Sequence, residues 1–242
     1  MVFTMTDFLW PDGPRFKDES GVFRLGTDSV ILAYFAKNTQ TKKKRAADLG
    51  CGSGIISIIL AWDNPELVVD SIEIQPRAVR LAIENTQLNG LSGRVNIIEG
   101  DLRRYTGLFQ AGAYDLTISN PPYYTKGSGK VSDAVDSAAA RIEEFCSLDD
   151  VCKAAGYLTR WGGAFLIVHK PERLAEIFRS LTGAGLEPKR LRFVHHKNSS
   201  PPSLVLIESR RGGNPSLKVE APLILANDDG SDSEESSIIY RR

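Results

Sequence analysis

The sequence is poor in sulfur and imidazole: three cysteines, two methionines and three histidines among 242 residues. The thiols, Cys51, Cys146 and Cys152, are odd in number and irregularly spaced, which gives neither a disulfide framework nor a zinc-ligand pattern. Free thiols suit a reducing compartment, so a cytoplasmic location is expected and no metal is called for. No apolar run approaches membrane-spanning length, and residues 1–8 lack the charged start and apolar core of an export signal. Net charge is missing too, because 30 Lys+Arg balance 30 Asp+Glu. The chain as a whole therefore has no strong field to draw in a polyanion. The balance hides an uneven distribution. Residues 153–220 carry twelve Lys/Arg against five Asp/Glu, whereas residues 227–236 carry five acidic residues and no basic one.

What is present is a rhythm. Residues 1–25 are mixed and rich in turn formers, and are expected to be an N-terminal extension. Thr27 or Asp28 can cap a helix whose apolar side is Val30, Ile31, Ala33, Tyr34 and Phe35. Residues 46–49 form a short buried strand, Gly50 to Gly54 turn the chain, and residues 55–62 suit a buried helix. Residues 67–73 are β-branched and suit a second strand. Pro76 takes the favoured first position of a helix that ends at Asn89-Gly90. Residues 95–99, 114–119 and 163–169 are further strands, and 138–158 and 171–181 further helices. Such alternation predicts a mostly parallel α/β sheet with helices on both faces. Residues 189–194 and 203–208 have no helix between them and should pair antiparallel at one edge. After residue 213 the composition turns tail-like. The expected organisation is an extension (1–25), one α/β domain (26–213) and a C-terminal tail (214–242).

The segment D-L-G-C-G-S-G, from Asp48 to Gly54, follows a strand and opens a helix. Its glycines let a ligand approach the backbone, and open α/β sheets bind ligands beyond the carboxyl ends of their strands. Glu73 ends the second strand and can accept both hydroxyls of a ribose. Asp101, after the third strand, can accept a proton from an adenine amino group. A nicotinamide dinucleotide would use a similar acid, but its usual glycine pattern is G-x-G-x-x-G. Here the glycines are Gly50, Gly52 and Gly54.

A fourth element lies at Asn120-Pro121-Pro122-Tyr123, directly after a buried strand. The prolines stop any regular structure and stiffen the loop. The Asn120 amide oxygen and the Pro121 carbonyl can each accept one proton of a conjugated amine, and Tyr123 offers a face to a planar base. Taken in order, Asp48 to Gly54, Glu73, Asp101 and Asn120 to Tyr123 resemble the motifs of class I S-adenosylmethionine-dependent methyltransferases, over residues 24 to 210. The resemblance implies a Rossmann-like, seven-stranded, mostly parallel sheet with one antiparallel edge hairpin, and S-adenosylmethionine as cofactor. It implies that Asp48, Gly50, Cys51, Gly52 and Gly54 hold the methionine part, Glu73 the ribose and Asp101 the adenine. Thr27, Ile74, Leu102 and Asn120 belong to the same set of cofactor contacts, and Asn120, Pro121 and Tyr123 to the catalytic loop.

Residues 23–36 and the stretch after Tyr123 resemble the bacterial tRNA adenine-N6 methyltransferases of the YfiC type, which implies tRNA as partner. Three alternatives stay open: glutamine-amide methylation of a release factor (HemK-type), guanine-N2 methylation of ribosomal RNA, and an inactive RNA-binding module. Tyr124, Lys126 and Lys130 at the mouth, and Lys189, Arg190, Arg192 and Lys197 on the edge hairpin, are the candidate RNA contacts. Phosphate contacts of this kind position a nucleic acid without reading its sequence. His169, His195 and His196 are expected at the surface or on RNA.

Overall fold

Alternation along each central strand decides which side of the sheet a residue serves. In the computed structural model, residues 5–18, 26–40, 43–123 and 146–242 are described. A hairpin of β1 (Met5–Phe8) and β2 (Arg15–Asp18) precedes α1 (Thr27–Lys37). Then come β3 (Arg45–Leu49), α2 (Ile55–Asp63), β4 (Val68–Glu73), α3 (Pro76–Leu88) and β5 (Val95–Glu99). A short α4 (Tyr105–Leu108), β6 (Tyr114–Ser119), α5 (Leu148–Leu158), β7 (Thr159–His169) and α6 (Leu174–Gly183) follow. The last elements are β8 (Leu186–Lys197), β9 (Pro202–Arg211), β10 (Lys218–Val219), β11 (Leu223–Ala226) and α7 (Glu234–Tyr240).

The main sheet runs β10-β8-β9-β7-β6-β3-β4-β5, with β11 also on β8. Its pairings are parallel except the two made by β9, with β7 and β8. Ala46, Leu166, Val168 and Leu206 face one side, where α1 and α2 cover them. Their neighbours Ala47, Phe165, Ile167 and Ile207 face the other side, under α5 and α6. This is the period-2 geometry of strands, and helices on both faces are as expected. Each large aliphatic side chain so buried contributes about 1.5–3 kcal/mol.

Three features depart from the sequence-based expectation. The sheet has nine strands, not seven. The antiparallel hairpin is not its free edge, because β10 and β11 pair parallel with β8, through Lys218 opposite Arg190 and Leu223 opposite Val194. The segment that looks tail-like in composition is therefore built into the sheet. Its acidic residues are partners for β8 cations, and Leu223 and Ile239 are buried. Residues 1–25 contain a docked hairpin: Phe16 and Trp10 enter the core. The side chains of Asn85, in the last turn of α3, and of Asn89, its C-cap, accept the backbone N–H groups of Lys17 and Arg15 at 2.8 Å each.

Helix ends also differ. Gly26, not Thr27 or Asp28, is the N-cap of α1, and no side chain caps that helix. The helix expected over 138–158 is seen from Leu148, where Ser147 and Asp150 form a capping box; residues 138–145 lie outside the described residues. β7 begins at Thr159, four residues before the expected start.

Candidate active site

The chain turns back between β3 and β6: β4 and β5 lie to one side of β3, and β6 to the other. Ligands bind beyond the strand ends at such a switch point. A cavity of about 290 Å³ opens there, lined by the segments that leave β3, β4, β5 and β6.

The first wall is the glycine turn. Gly50, Gly52 and Gly54 have φ of 77°, 56° and 84°, in the left-handed region that side chains rarely adopt. At Gly54 an added Cβ would also stand 3.4 Å from Ala82 Cβ of α3. The N–H groups of Gly50 and Cys51 both donate to the Ile72 carbonyl, at 2.9 and 3.0 Å, which ties the turn to β4. Asp48, expected on the cofactor, lies beneath the turn and outside the cavity lining. It is wholly buried and accepts from Ser57 Oγ at 2.6 Å, while its Oδ1 has no hydrogen-bond partner. Burial pushes its carboxyl up to about 7, against the Ser57 hydrogen bond. Cys51 lines the cavity, but burial and the Asp48 carboxylate push its thiol well up, so it stays protonated and unreactive.

Glu73 lies on the second wall. Its Oε2 accepts from Gly52 N at 3.0 Å, and its Oε1 from Ile74 N and Gln75 N at 2.9 Å each. A carboxylate has about four lone-pair positions, and three of these are taken by the backbone. One is left on Oε2, so Glu73 can accept one ribose hydroxyl here, not two. Ile74 lines the cavity and is 38% exposed, giving a flat apolar face. Asp101 and Leu102 form the third wall, with Cys146 and Val151 in the same lining. Asp101 is gripped by Arg103, whose Nη2 lies 2.6 Å from Oδ2. That guanidinium holds the Asp101 carboxyl below its usual range.

The fourth wall is Asn120, Pro121 and Pro122. The Asn120 Nδ2 donates to Ser29 Oγ at 3.0 Å, and its Oδ1 accepts from the Tyr123 hydroxyl at 2.7 Å. The Tyr123 hydroxyl also lies 2.6 Å from Asp28 Oδ2. Tyr123 itself does not line the cavity. Its ring meets the His169 ring at 5.2 Å and the Lys170 ammonium at 5.3 Å.

The structure therefore brings Gly50, Cys51, Gly52, Glu73, Ile74, Asp101, Leu102, Asn120 and Pro121 around one cavity. Asp48 and Gly54 support it from behind. Thr27 is exposed, and its side chain is hydrogen-bonded to the Tyr240 hydroxyl rather than turned to the cavity. Sequence reasoning missed Gly26 and Ser29, which line the cavity, and Asp28. A polar Asp-Ser pair opening an otherwise apolar helix was the available signal, and of the two only Asp28 was read, as a cap.

The candidate RNA contacts on β8 have other partners. Arg190 pairs with Glu208 at 2.9 Å and lies over the Phe35 ring, its side chain only 12% exposed. Arg192 holds Glu235 and the Ala221 carbonyl. Lys189 donates to the Asn214 carbonyl and to Ser216, and Lys197 to the Asp228 carbonyl. These cations fasten the C-terminal strands, so Arg190 and Arg192 are corrected from RNA contacts to structural ion pairs. Tyr124, Lys126 and Lys130 lie outside the described residues. His169, expected at the surface, is buried, and burial holds its imidazole down at about 4.

The strand order, the single reversed strand β9 of the main sheet and the four-walled cavity define a Rossmann-like methyltransferase fold. Residues 14–173 match the model of the methyltransferase small domain, and the chain belongs to that family. It is 30% identical over 213 residues to a tRNA1(Val) (adenine(37)-N6)-methyltransferase of Tolumonas auensis, covering 88% of this chain and 86% of that protein. A protein of the same name from Bacteroides fragilis is 30% identical over 185 residues, 76% of each chain. A crystal structure described as a predicted O-methyltransferase from Agrobacterium tumefaciens superposes with a TM-score of 0.72 at 19% identity, covering 89% of this chain and 96% of that one.

Proposed function

We propose that this methyltransferase transfers the methyl group of S-adenosylmethionine to the exocyclic N6 of an adenine in tRNA, next to the anticodon. The observation that carries the reading is that Asn120-Pro121-Pro122 opens onto the same cavity as the glycine turn, Glu73 and Asp101. The cofactor, when bound, supplies a methyl group already activated on a sulfonium. The residues present suit it: a backbone turn open to close approach, a free acceptor position on Glu73, and the Asp101 carboxylate on the third wall, which must give up part of its hold on Arg103 to accept an adenine N–H.

The chain's own contribution to the transfer is positional. An adenine amine is a weak nucleophile because its lone pair is delocalised into the ring. If Asn120 Oδ1 and the Pro121 carbonyl each accept one N–H, the nitrogen is held with its lone pair aimed into the cavity. The prolines keep both acceptors in place. Alignment of this kind contributes roughly 7–11 kcal/mol to lowering a barrier in well-oriented systems. An adenine splayed from an RNA loop can reach such a site. Arg103, Arg104 and Lys170 follow cavity-side strand ends, where phosphates of the loop would pass. The names of the similar proteins favour tRNA over a release factor or ribosomal RNA. No described helix is long and apolar enough to cross a membrane, and a tRNA substrate favours a cytoplasmic site of action.

The test is incubation with a labelled methyl donor and, separately, total bacterial tRNA, ribosomal RNA and release factors, followed by nucleoside and amino-acid analysis. N6-methyladenosine in tRNA is expected. Methylated glutamine or N2-methylguanosine would replace the substrate, and cofactor binding without any transfer would make the protein an inactive RNA-binding module.

A further inference from the structure

The Tyr123 hydroxyl has one proton and faces two acceptors, Asp28 Oδ2 at 2.6 Å and Asn120 Oδ1 at 2.7 Å. Asn120 in turn donates its amide nitrogen to Ser29 Oγ at 3.0 Å. Both outside partners, Asp28 and Ser29, stand in the first turn of α1, more than 90 residues away in sequence. Asp28 does not line the cavity, so nothing in the cofactor pocket accounts for it. Nor does it cap its own helix, since Gly26 is the N-cap and no side chain bonds there. Its carboxylate is turned to the catalytic loop instead.

We propose that Asp28 and Ser29 are a positioning pair that aims Asn120 at the acceptor amine. Ser29 Oγ takes the Nδ2 end of the amide, which leaves Oδ1 as the end for the amine. Asp28 settles the Tyr123 proton. A carboxylate is the stronger acceptor, and charge-assisted O–H···O⁻ bonds are short and about twice as strong as neutral ones. Asn120 Oδ1 has two lone pairs, so the shared Tyr123 proton leaves one for the amine N–H. Without Asp28, the hydroxyl rests on Asn120 alone, and nothing anchors the phenol or the amide against turning away from the amine. The phenol is suited to this part, because burial and the Asp28 carboxylate push its ionisation well up and it remains a donor. The His169 ring, 5.2 Å away, packs against Tyr123. The proposal rests on the amine-methylation reading above.

The test compares the wild type with Asp28→Ala, Asp28→Asn, Ser29→Ala, Tyr123→Phe and Asp28→Ala/Tyr123→Phe in steady-state methyl transfer, with cofactor affinity measured by calorimetry. Asp28→Ala should lower kcat roughly 10- to 100-fold, the worth of a hydrogen bond to a charged group. Cofactor Kd should stay within about twofold of wild type. Asp28→Asn should recover part of the loss, since its amide oxygen still accepts. The double variant should be no slower than Tyr123→Phe, because Asp28 acts through that hydroxyl. Multiplying losses in the double variant, or an Asp28→Ala or Ser29→Ala kcat within twofold of wild type, would overturn the pair. So would a cofactor affinity that falls as far as kcat does. If Asp28→Ala fails to fold, Asp28→Asn and Ser29→Ala carry the same comparison. Should the wild type methylate a different acceptor, the substrate reading fails while the variant ratios on that acceptor still decide the pair. If it methylates none, both fall.

Discussion

Arg192 on β8 grips Glu235 of α7 through two hydrogen bonds of 2.6 Å each. A third bond, from its Nε to the Ala221 carbonyl at 2.8 Å, fixes the loop between β10 and β11. The bidentate pair is the strong form of an ion pair, and Arg192 is only 14% exposed. Arg192→Ala should therefore lower the unfolding free energy by about 1–3 kcal/mol and expose residues 214–242 to limited proteolysis. It should leave the salt slope of tRNA binding unchanged, whereas loss of a phosphate contact would flatten it by about 0.7–0.9. Urea unfolding and tRNA titrations at several salt concentrations measure the two effects. A stable variant with a flatter slope would return Arg192 to the RNA surface.

Glu73 ends a strand, and from sequence its removal should spare the fold. The structure changes that expectation, because its carboxylate satisfies the N–H groups of Gly52, Ile74 and Gln75. Glu73→Ala should weaken cofactor binding roughly 10- to 100-fold and also cost about 1–3 kcal/mol of stability, since the buried donors lose their partner. Calorimetry with S-adenosylmethionine and urea unfolding would show both losses together. A variant with full stability and weak binding would mean that Glu73 serves only the ligand.

The fold and the cofactor walls were legible because each rests on a local signal: β-branched runs, glycines at positive φ, Pro76 at a helix start, an acid at a strand end. The hairpin β1–β2 and the strands β10 and β11 were not, because neither has a periodic pattern of its own. The first is held by Asn85 and Asn89 standing in for a neighbouring strand, and the second by pairing with β8. Charge misled for the same reason. Arg190, Arg192 and the acidic segment are far apart in sequence and become partners only in the sheet, so the cations looked free for RNA. Asp28 was hidden by a local reading, helix capping, which its tertiary contact with Tyr123 overrides; Ser29 carried no signal beyond its place in the same turn.

Two buried groups should set opposing pH slopes. The Asp48 carboxyl, pushed by burial up to about 7 from 3.8, holds a proton that the unfolded chain has already released. Stability from this group therefore falls as pH rises between those values, and the cost is complete above them. The His169 imidazole, held down at about 4 from 6.5, stays neutral where the unfolded chain is protonated. Its contribution is present above the unfolded value and falls as pH drops towards the folded one. Over the shared window the two slopes oppose, and the wild type should vary little. Asp48→Asn should leave the histidine slope, with stability rising with pH, and His169→Phe should leave the reverse. Urea unfolding between about pH 4.5 and 6.5 measures this. Parallel profiles for all three proteins would remove both groups from the pH dependence.

Asn85 is the joint between the N-terminal hairpin and the cofactor turn. Wholly buried on α3, it accepts from Lys17 N at 2.8 Å and donates to the Ser53 carbonyl at 3.1 Å. One amide thus satisfies a donor on β2 and an acceptor in the turn that lines the cavity. Asn85→Ala leaves both without a partner and should cost about 1–3 kcal/mol. Asn85→Asp is the sharper probe. Its carboxylate can still accept from Lys17, but its second oxygen then faces the Ser53 carbonyl with no hydrogen between them. At neutral pH the aspartate should be less stable than the alanine variant, and its cofactor affinity should fall with the displaced turn. On acidification the carboxyl gains the proton it needs to donate to Ser53, so the order should reverse. Unfolding of the two variants side by side at neutral and acid pH decides it. An aspartate variant that stays above alanine at neutral pH would show that the amide's donor function is not what holds the turn.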